Sequence, residues 1–304
     1  MKEKVIIIAG PTASGKSSLA IKLAKLINGE IISSDSMQIY KGMDIGTAKV
    51  SQDERKLIPH HMIDIISPKE KYSVEEFQKF SKKLIKEIHQ RGHIPILVGG
   101  TGLYINSIIY DYDFNNVKPN YEFRKKMEAI YKKNPEILLN RLIEIDEKLY
   151  SSLNLKDKKK IIRALEVYEY SGETITVDSK SNENYDFYLF VINDDRKILY
   201  ERINKRVDQM LEKGLIDEVK NLIDKGLNEN HQSMKAIGYR EIIPYLNNET
   251  DYETMVEKLK KDTRRYAKRQ LTWFRKNKEA IWLNKQDYSE EEMIEKILEE
   301  INEF

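Results

Sequence analysis

The chain has 304 residues, of which 40% are hydrophobic and 34% charged, so it has enough apolar material for a packed core and is not expected to be disordered. It contains no cysteine, which excludes a disulfide scaffold, a Cys-ligated zinc site and a thiol nucleophile. No apolar run approaches the roughly 20 residues that span a bilayer, and the first apolar run is too short for a signal segment. We therefore expect a cytoplasmic globular protein of about two domains that makes no contact with a membrane.

Charge is balanced overall but segregated along the chain. The 52 basic and 50 acidic residues give a net charge of +2, which by itself does not indicate a polyanionic partner. Residues 258–278, however, contain ten Lys or Arg and one acid, whereas residues 287–304 contain eight acids and one Lys. Within this segment the basic stretch, residues 264–278, is interleaved with Tyr266, Trp273 and Phe274 and suits a surface that contacts nucleic-acid phosphates. The alternative is a solvated charged helix, and the aromatic side chains themselves are expected to pack in the core.

Six short apolar runs rich in β-branched residues predict buried strands. They are residues 5–9, 30–34, 62–66, 94–98, 187–192 and 281–283. Helical patterns lie between them. Ser73 and Glu76 have the spacing of a capping box, and Gly92 ends the helix that they begin. Ser289 and Glu292 repeat this spacing. Alternating strands and helices predict an α/β fold with a doubly wound, mainly parallel sheet.

This alternation lapses in one long segment, where the pattern is helical only. The predicted helices are residues 121–133, 135–145 and 157–170. Gly172 is a stop signal, and the polar residues 176–185 indicate an exposed loop. We therefore expect a helical insertion domain, residues 115–185, in a core formed by residues 1–114 and 186–304.

The clearest motif is Gly-Pro-Thr-Ala-Ser-Gly-Lys-Ser at residues 10–17, which fits the phosphate-loop pattern G-x-x-x-x-G-K-[ST]. It follows a predicted strand and opens a predicted helix, the context in which backbone N–H groups surround phosphate oxygens at a helix N-terminus. Lys16 would neutralise phosphate charge and Ser17 would bind Mg²⁺. The motif predicts a P-loop NTPase-like core but does not say which phosphate compound it binds. The residues expected to bind it are Gly10, Thr12, Ala13, Ser14, Gly15, Lys16 and Ser17.

The residues after the other core strands bear on how this loop is used. ATPases and kinases usually pair the loop with a second strand that ends in a Mg²⁺-binding acid, but residues 94–98 run into Gly99 and Gly100 instead. Glycines at this position bring the backbone close to a ligand. Asp35 follows the second strand and should lie near the phosphate loop, as a general base, a metal ligand or only a capping residue.

Two adjacent histidines, His60 and His61, raise the question of a metal site. Neighbouring residues on an extended segment point to opposite faces, so the two imidazoles do not suit one metal ion. No third ligand is apparent in the sequence. We expect a structural role for both.

Eight segments that together span nearly the whole chain resemble those of bacterial tRNA dimethylallyltransferases, also called tRNA isopentenyltransferases, in the same order. They are GPTASGKS (10–17), DSMQIYKGMDIGTAK (35–49), HHMIDI (60–65), VGGTGLYI (98–105), IIRALEVYEYSGE (161–173), RINKRVDQM (202–210), KAIGYRE (235–241) and TRRYAKRQLTWFRKN (263–277). The resemblance implies transfer of a dimethylallyl group from dimethylallyl diphosphate to N6 of adenine 37 in the anticodon loop of tRNAs that read UNN codons. The phosphate loop would then hold an isoprenoid diphosphate, which fits the missing acid after residue 98.

The resemblance also implies roles for individual residues. Asp35 would accept the N6 proton, Lys16 with Mg²⁺ would stabilise the departing diphosphate, and Thr101 would position the adenine. The extruded adenine would lie against Asp35, Ser36, Met37 and Gln38. The implied partners are dimethylallyl diphosphate and the anticodon stem-loop of tRNA, bound by a monomer. The further tRNA contacts expected are Arg124, Lys159, Lys160, Ile161, Ile162, Arg163, Lys235, Ala236, Ile237, Gly238, Tyr239 and Arg240, with Lys268, Arg269 and Arg275 from the basic stretch.

Two departures from the family pattern affect expected RNA contacts. Residues 154–157 read Asn-Leu-Lys-Asp where many members have His-Pro-Asn-Asp, and Lys235 stands where Gln is frequent. We expect altered local contacts there, not lost function. Three other functions remain open: a P-loop small-molecule kinase or hydrolase, an enzyme that prenylates free adenine nucleotides, and a non-catalytic RNA-binding protein. The second would not need the insertion or the basic stretch, and the third leaves Lys16, Asp35 and Thr101 without a purpose.

Overall fold

The computed structural model describes residues 2–114, 117–175 and 182–302. The chain forms two compact units, one from residues 1–109 and 182–304 and the other from residues 110–181. Both limits of the smaller unit lie a few residues before those expected from the sequence, because Asn182 belongs to the larger unit. Its backbone N–H donates to the Ile109 carbonyl at 2.7 Å, and its side-chain amide donates to the Ile108 carbonyl at 3.2 Å. No helix in the described residues combines the length and apolar character needed to cross a membrane.

A parallel sheet forms the centre of the larger unit. Its strands are β1 Glu3–Ala9, β2 Gly29–Ser33, β3 His60–His61, β4 Ile94–Gly99, β5 Tyr185–Asn193 and β6 Ile281–Asn284. Within the described chain they lie in the order β3-β2-β4-β1-β5-β6, and every neighbouring pair is parallel. Ile6 of the central strand β1 is level with Ile96 on one side and Tyr188 on the other. The expected mainly parallel α/β sheet is therefore confirmed.

Helices cover both faces of this sheet. In chain order the helices are α1 Lys16–Leu26, α2 Gln52–Leu57, α3 Val74–Gln90, α4 Gly102–Ile109, α5 Tyr121–Lys133, α6 Glu136–Ile145, α7 Glu147–Ser152, α8 Lys158–Ser171, α9 Arg196–Glu212, α10 Leu215–Asp224, α11 Ile242–Leu246, α12 Tyr252–Phe274 and α13 Glu290–Asn302. Side chains of α1 and α13 pack with Ile6 and Ile8 in one core cluster, and α3 and α4 pack together against β4. Both predicted capping boxes form, since the hydroxyls of Ser73 and Ser289 accept from the backbone N–H three residues on.

The third predicted strand is wrong in position. The strand is His60–His61, whereas the predicted residues 62–66 form a turn that ends in an isolated parallel bridge between Ile66 and Tyr40. Met62 and Asp64 adopt positive φ angles of 63° and 57°, which an extended strand does not allow. Two backbone N–H groups of the turn donate to the carbonyl of Ile39, so hydrogen bonds to a loop replace a ladder there.

The smaller unit contains α5, α6, α7 and α8. The predicted helix 121–133 coincides with α5, and α8 begins after Asp157, whose carboxylate accepts from the Lys160 N–H at 3.3 Å. The short helix α7 was not predicted, because six residues give little periodicity. The core of this unit is apolar, with Leu142 and Leu165 fully buried.

Candidate active site

The loop between β1 and α1 has the backbone geometry that phosphate binding requires. A Cβ at Gly10, where φ is 153°, would lie 2.7 Å from the Ile192 carbonyl oxygen. Gly15, with φ of 89°, is the N-cap of α1 and offers no side-chain acceptor to the first N–H groups of the helix. Those N–H groups are therefore available to an anion at the positive end of the helix dipole.

Two cationic side chains converge here with little to neutralise them. Burial and the nearby Arg206 guanidinium lower the pKa of the Lys16 ammonium to about 8, against the opposing effect of Asp35. The Lys16 ammonium also donates to the Pro11 carbonyl at 3.2 Å. Burial likewise lowers the pKa of Arg206, and its buried Nε has no hydrogen-bond partner among the described residues. Such an excess of buried positive charge suits a bound polyanion.

These groups line a cavity of about 370 Å³ in the larger unit, at the carboxyl ends of β1, β2 and β4. Most of the predicted site residues of this unit are brought together in its wall. They are Thr12, Ala13, Gly15, Lys16, Ser17, Asp35, Ser36, Met37, Gln38, Lys235, Ala236, Ile237, Gly238, Arg240 and Arg269.

The other predicted residues of the larger unit lie behind or outside this wall. Ser14 and Tyr239 are fully buried. Lys268 and Arg275 are exposed on the basic stretch. Thr101 is not among the residues that line the cavity, and its hydroxyl accepts from the Ser36 N–H at 3.2 Å. Thr101 therefore supports the wall of the cavity through Ser36.

The acidic side of the cavity is organised by short-range hydrogen bonds. The Asp35 carboxylate accepts from the Met37 N–H at 2.9 Å, which fixes its position after β2. The Gln38 side-chain oxygen accepts from the Ser33 hydroxyl at 2.9 Å, and its amide nitrogen donates to the Thr47 carbonyl at 3.2 Å. Both ends of the Gln38 amide are thus assigned, so its remaining N–H has a fixed direction.

The glycines at the carboxyl end of β4, Gly99 and Gly100, pack closely against protein. A Cβ at Gly99 would lie 2.4 Å from the Ser34 carbonyl oxygen, and one at Gly100 would lie 2.0 Å from the Gln270 amide nitrogen. The same amide nitrogen donates to the Gly100 carbonyl at 2.9 Å, while the Gln270 side-chain oxygen accepts from the Thr12 N–H at 3.1 Å. The sequence predicted a close approach to a ligand at these glycines, whereas the close contacts observed are to protein and join the phosphate loop to α12 through Gln270.

Among the wall residues that sequence reasoning missed are Arg206, Tyr266 and Gln270. Tyr266 was expected to pack in the core, but it lines the cavity. Its pKa is raised to about 12 by burial and by the Asp35 carboxylate, against a hydrogen bond from Thr101. One signal was available for Tyr266 and Gln270, since their four-residue spacing places both on one face of α12. The only signal for Arg206 was its place in RINKRVDQM (202–210), one of the segments that resemble the family.

The two histidines point to opposite sides of β3, as expected. His60 lines the cavity, whereas the His61 imidazole pairs with the Glu30 carboxylate at 2.6 Å. No group of three or more His, Asp or Glu side chains in the described residues is arranged to hold a metal ion. Mg²⁺ needs no such group when substrate phosphates and waters supply most of its ligands. The hydroxyl of Ser17 and the carboxylate of Asp35 both line the cavity and fit that arrangement.

Two of the six predicted residues of the smaller unit, Arg124 and Arg163, pair with a buried carboxylate. Glu166 is fully buried and accepts from the Arg124 guanidinium at 2.8 and 2.6 Å and from Arg163 at 2.7 Å. Ile161 and Ile162 are buried in the core of this unit, so their side chains do not face solvent. Lys159 and Lys160 are exposed at the start of α8.

The fold and the cavity define a P-loop α/β protein with an anion site opposite a carboxylate and an oriented amide. The family model described as IPP transferase matches residues 38–277. The chain is 50% identical, over 100% of both chains, to a protein named tRNA dimethylallyltransferase from Carboxydothermus hydrogenoformans. It is 48% identical, over 98% of both, to one of that name from Caldanaerobacter subterraneus subsp. tengcongensis.

Solved structures give the same result. The crystal structure of the full-length tRNA isopentenylpyrophosphate transferase from Bacillus halodurans is 42% identical, with a TM-score of 0.76 over 99% of this chain and 96% of that one. A eukaryotic dimethylallyltransferase acting on tRNA is 30% identical, with a TM-score of 0.80 over 93% of this chain and 74% of that one. The chain belongs to the IPP transferase family.

Proposed function

We propose that the protein transfers a dimethylallyl group from dimethylallyl diphosphate to N6 of adenine 37 in the anticodon loop of tRNAs that read UNN codons, and releases diphosphate. One observation carries this proposal. A single cavity has poorly neutralised cations on the phosphate loop and α9, with Asp35 and an oriented Gln38 amide on another wall. The relatives named tRNA dimethylallyltransferase support the reaction and its tRNA substrate.

The chemistry requires charge stabilisation on one side and proton removal on the other. The bond between C1 and the bridging oxygen breaks, and its electrons leave with the diphosphate towards Lys16, Arg206 and the N–H groups of the loop. The lone pair of N6 forms the new bond to C1. The N6 proton passes to the Asp35 carboxylate, because the amino group is a poor nucleophile until that proton is removed. The free N–H of Gln38 is suited to hydrogen-bond the edge of the adenine.

Members of this family use a divalent metal ion, and we propose Mg²⁺ for this chain. Ser17 would hold it together with the diphosphate oxygens. When bound, the ion would supply further positive charge at the departing diphosphate.

The anticodon stem-loop is the proposed tRNA element, and a monomer the proposed form. Adenine 37 must leave its stack to reach a cavity of this kind, and bases of a loop are extruded more easily than those of a duplex. Exposed Lys268 and Arg275 and the cavity residue Arg269 offer phosphate contacts. In the smaller unit, Lys159 and Lys160 are also proposed to contact tRNA phosphates.

The direct test is an incubation of purified protein, Mg²⁺ and dimethylallyl diphosphate with an unmodified anticodon stem-loop that carries A36-A37-A38. Nucleoside mass analysis should show a five-carbon increment on the stem-loop adenine, and AMP in a parallel reaction should stay unchanged. An increment on AMP alone would reassign the protein to the class that prenylates free nucleotides. Consumption of ATP with no increment on either acceptor would indicate a nucleotide in the phosphate loop and overturn the proposal.

A further inference from the structure

Glu218 on α10 makes an unusual set of hydrogen bonds outside the chemistry described so far. Its carboxylate accepts from three consecutive backbone N–H groups, those of Asp44 at 2.8 Å, Ile45 at 2.8 Å and Gly46 at 3.1 Å. Consecutive N–H groups that point to one spot form a strong site for a carboxylate. Residues 44–46 contribute no helix or strand, so this side chain holds a segment that has no ladder of its own.

The same carboxylate also holds a second segment. The Tyr239 hydroxyl donates to it at 2.6 Å, and this tyrosine is fully buried. A Cβ at Gly46 would lie 2.5 Å from the Tyr239 ring, so the backbone of the first segment rests directly on that ring. Glu218 therefore joins residues 44–46 to residues 235–240.

Both segments continue into the cavity. Gly46, which carries the third bound N–H, lines it together with Thr47 and Ala48, and residues 235–238 with Arg240 line it beside Tyr239. The Thr47 carbonyl is the acceptor that fixes the Gln38 amide. Glu218 is therefore linked to Gln38 in three steps. It binds the Gly46 N–H, Gly46 is followed by Thr47, and the Thr47 carbonyl accepts from the Gln38 amide that is proposed to bind the edge of the adenine.

We infer that Glu218 is a positioning residue for the nucleic-acid substrate: it holds these two segments as one wall and thereby orients Gln38. The inference rests on the proposed function, because it takes the base bound at that wall to be the adenine that is prenylated. Among the described residues, none of the hydrogen bonds of Glu218 reaches the phosphate loop, Lys16 or Arg206. Its loss should therefore affect the tRNA and leave the diphosphate site intact.

The test compares Glu218→Gln, Tyr239→Phe and the control Asp217→Asn. Glutamine has nearly the shape of glutamate, but its NH₂ group faces N–H donors and cannot accept from them. Tyr239→Phe removes one hydrogen bond and leaves the three backbone ones. Asp217→Asn removes the same charge one residue away, on an exposed side chain.

For Glu218→Gln we expect kcat/KM for the stem-loop to fall by about tenfold or more, because a misplaced base loses its near-attack geometry. The KM for dimethylallyl diphosphate and the affinity for inorganic pyrophosphate should change by less than about twofold. Hydrogen exchange at the N–H groups of residues 44–46 should accelerate in the same variant. Tyr239→Phe should give a smaller loss, and Asp217→Asn should match the wild type.

Two results would overturn the inference. One is an unchanged kcat/KM for the stem-loop in Glu218→Gln. The other is an equal loss of kcat/KM for the stem-loop and of affinity for pyrophosphate, which would indicate general destabilisation. A variant that does not fold would be replaced by Tyr239→Phe, for which the same split between the two substrates is expected. Failure of the proposed function is distinguishable, because the wild-type protein would then prenylate no stem-loop. In that case unchanged hydrogen exchange at residues 44–46 of Glu218→Gln would overturn the positioning role, and faster hydrogen exchange there would support it.

Discussion

Lys16 combines a functional advantage with a cost in stability. Burial and Arg206 disfavour its charge in the free protein, which is why its pKa falls to about 8. A neutral side chain of similar length relieves this cost but cannot bind diphosphate. We therefore expect Lys16→Met to raise the melting temperature by a few degrees while kcat/KM falls by a factor on the order of 10² or more. Differential scanning fluorimetry and steady-state kinetics check both effects, and a lower melting temperature would contradict the electrostatic argument.

The lowered pKa of Lys16 also predicts a pH dependence. The ammonium is charged below pH 8 and loses its proton as the pH rises through about 8, so binding of an anion should weaken above that pH. We expect kcat/KM for dimethylallyl diphosphate to decline above about pH 8. The decline in kcat should begin at higher pH, because bound diphosphate favours the charged form of Lys16. A flat kcat/KM profile up to pH 9.5 would show that Lys16 is not titrating.

Asp35 is the residue that the mechanism uses as a base. In Asp35→Asn the side-chain oxygen still accepts from the Met37 N–H, so the local turn is kept while the base is lost. Turnover should fall by a factor on the order of 10²–10⁴ with stem-loop affinity little changed. Single-turnover kinetics and a binding titration on one preparation separate the two quantities. A near-normal rate would remove Asp35 from the proton transfer.

At the scale of elements, sequence periodicity predicted most of the sheet but not the assembly of the cavity. Buried strands such as β1 and β4 are visible because their apolar runs are continuous, and the capping box of α3 because it is local. Residues 62–66 are equally apolar, but positive φ angles turn that run into a loop. Arg206 and Gln270 reach the cavity from α9 and α12. A local sequence pattern does not predict which helix, distant in sequence, will face the phosphate loop.

Helix α12 exposes two neighbouring basic residues. Lys268 and Arg269 are both exposed, and Arg269 also lines the cavity. If both contact tRNA phosphates, each change to alanine should lower stem-loop affinity and reduce the slope of log K against log salt by about one unit. Lys258→Ala is the matched control, since it removes one exposed charge from the same helix ten residues earlier. An unchanged slope in Lys268→Ala and Arg269→Ala would show that this part of the helix is only solvated.

At the scale of the whole molecule, a buried charge cluster connects elements at the edge of the sheet. Glu30 of β2 is almost fully buried and accepts from the Arg91 guanidinium at 2.9 and 2.7 Å. It also pairs with His61 of β3 at 2.6 Å and with His93, next to β4, at 2.7 Å. The short strand β3 forms only a few backbone pairs with β2, so this cluster adds to its attachment.

The cluster predicts how the protein responds to acid. Burial alone would raise the pKa of Glu30, but the hydrogen bonds from Arg91, His61 and His93 outweigh it and hold the pKa at about 2. A carboxylate with a lowered pKa contributes stability that is complete above its ordinary pKa of about 4.5 and is lost as the pH falls towards 2. Glu30→Gln should therefore cost on the order of 2 kcal/mol at pH 7.

The measurement is urea unfolding between pH 7 and pH 3 for the wild type, for Glu30→Gln and for the exposed control Glu299→Gln. The free energy of unfolding of Glu30→Gln should approach that of the wild type as the pH falls below about 4.5, because protonation removes from the wild type the same interaction that the substitution removes. Glu299→Gln should run parallel to the wild type. A difference between Glu30→Gln and wild type that stays constant down to pH 3 would mean that packing, and not the charge of Glu30, attaches this edge of the sheet.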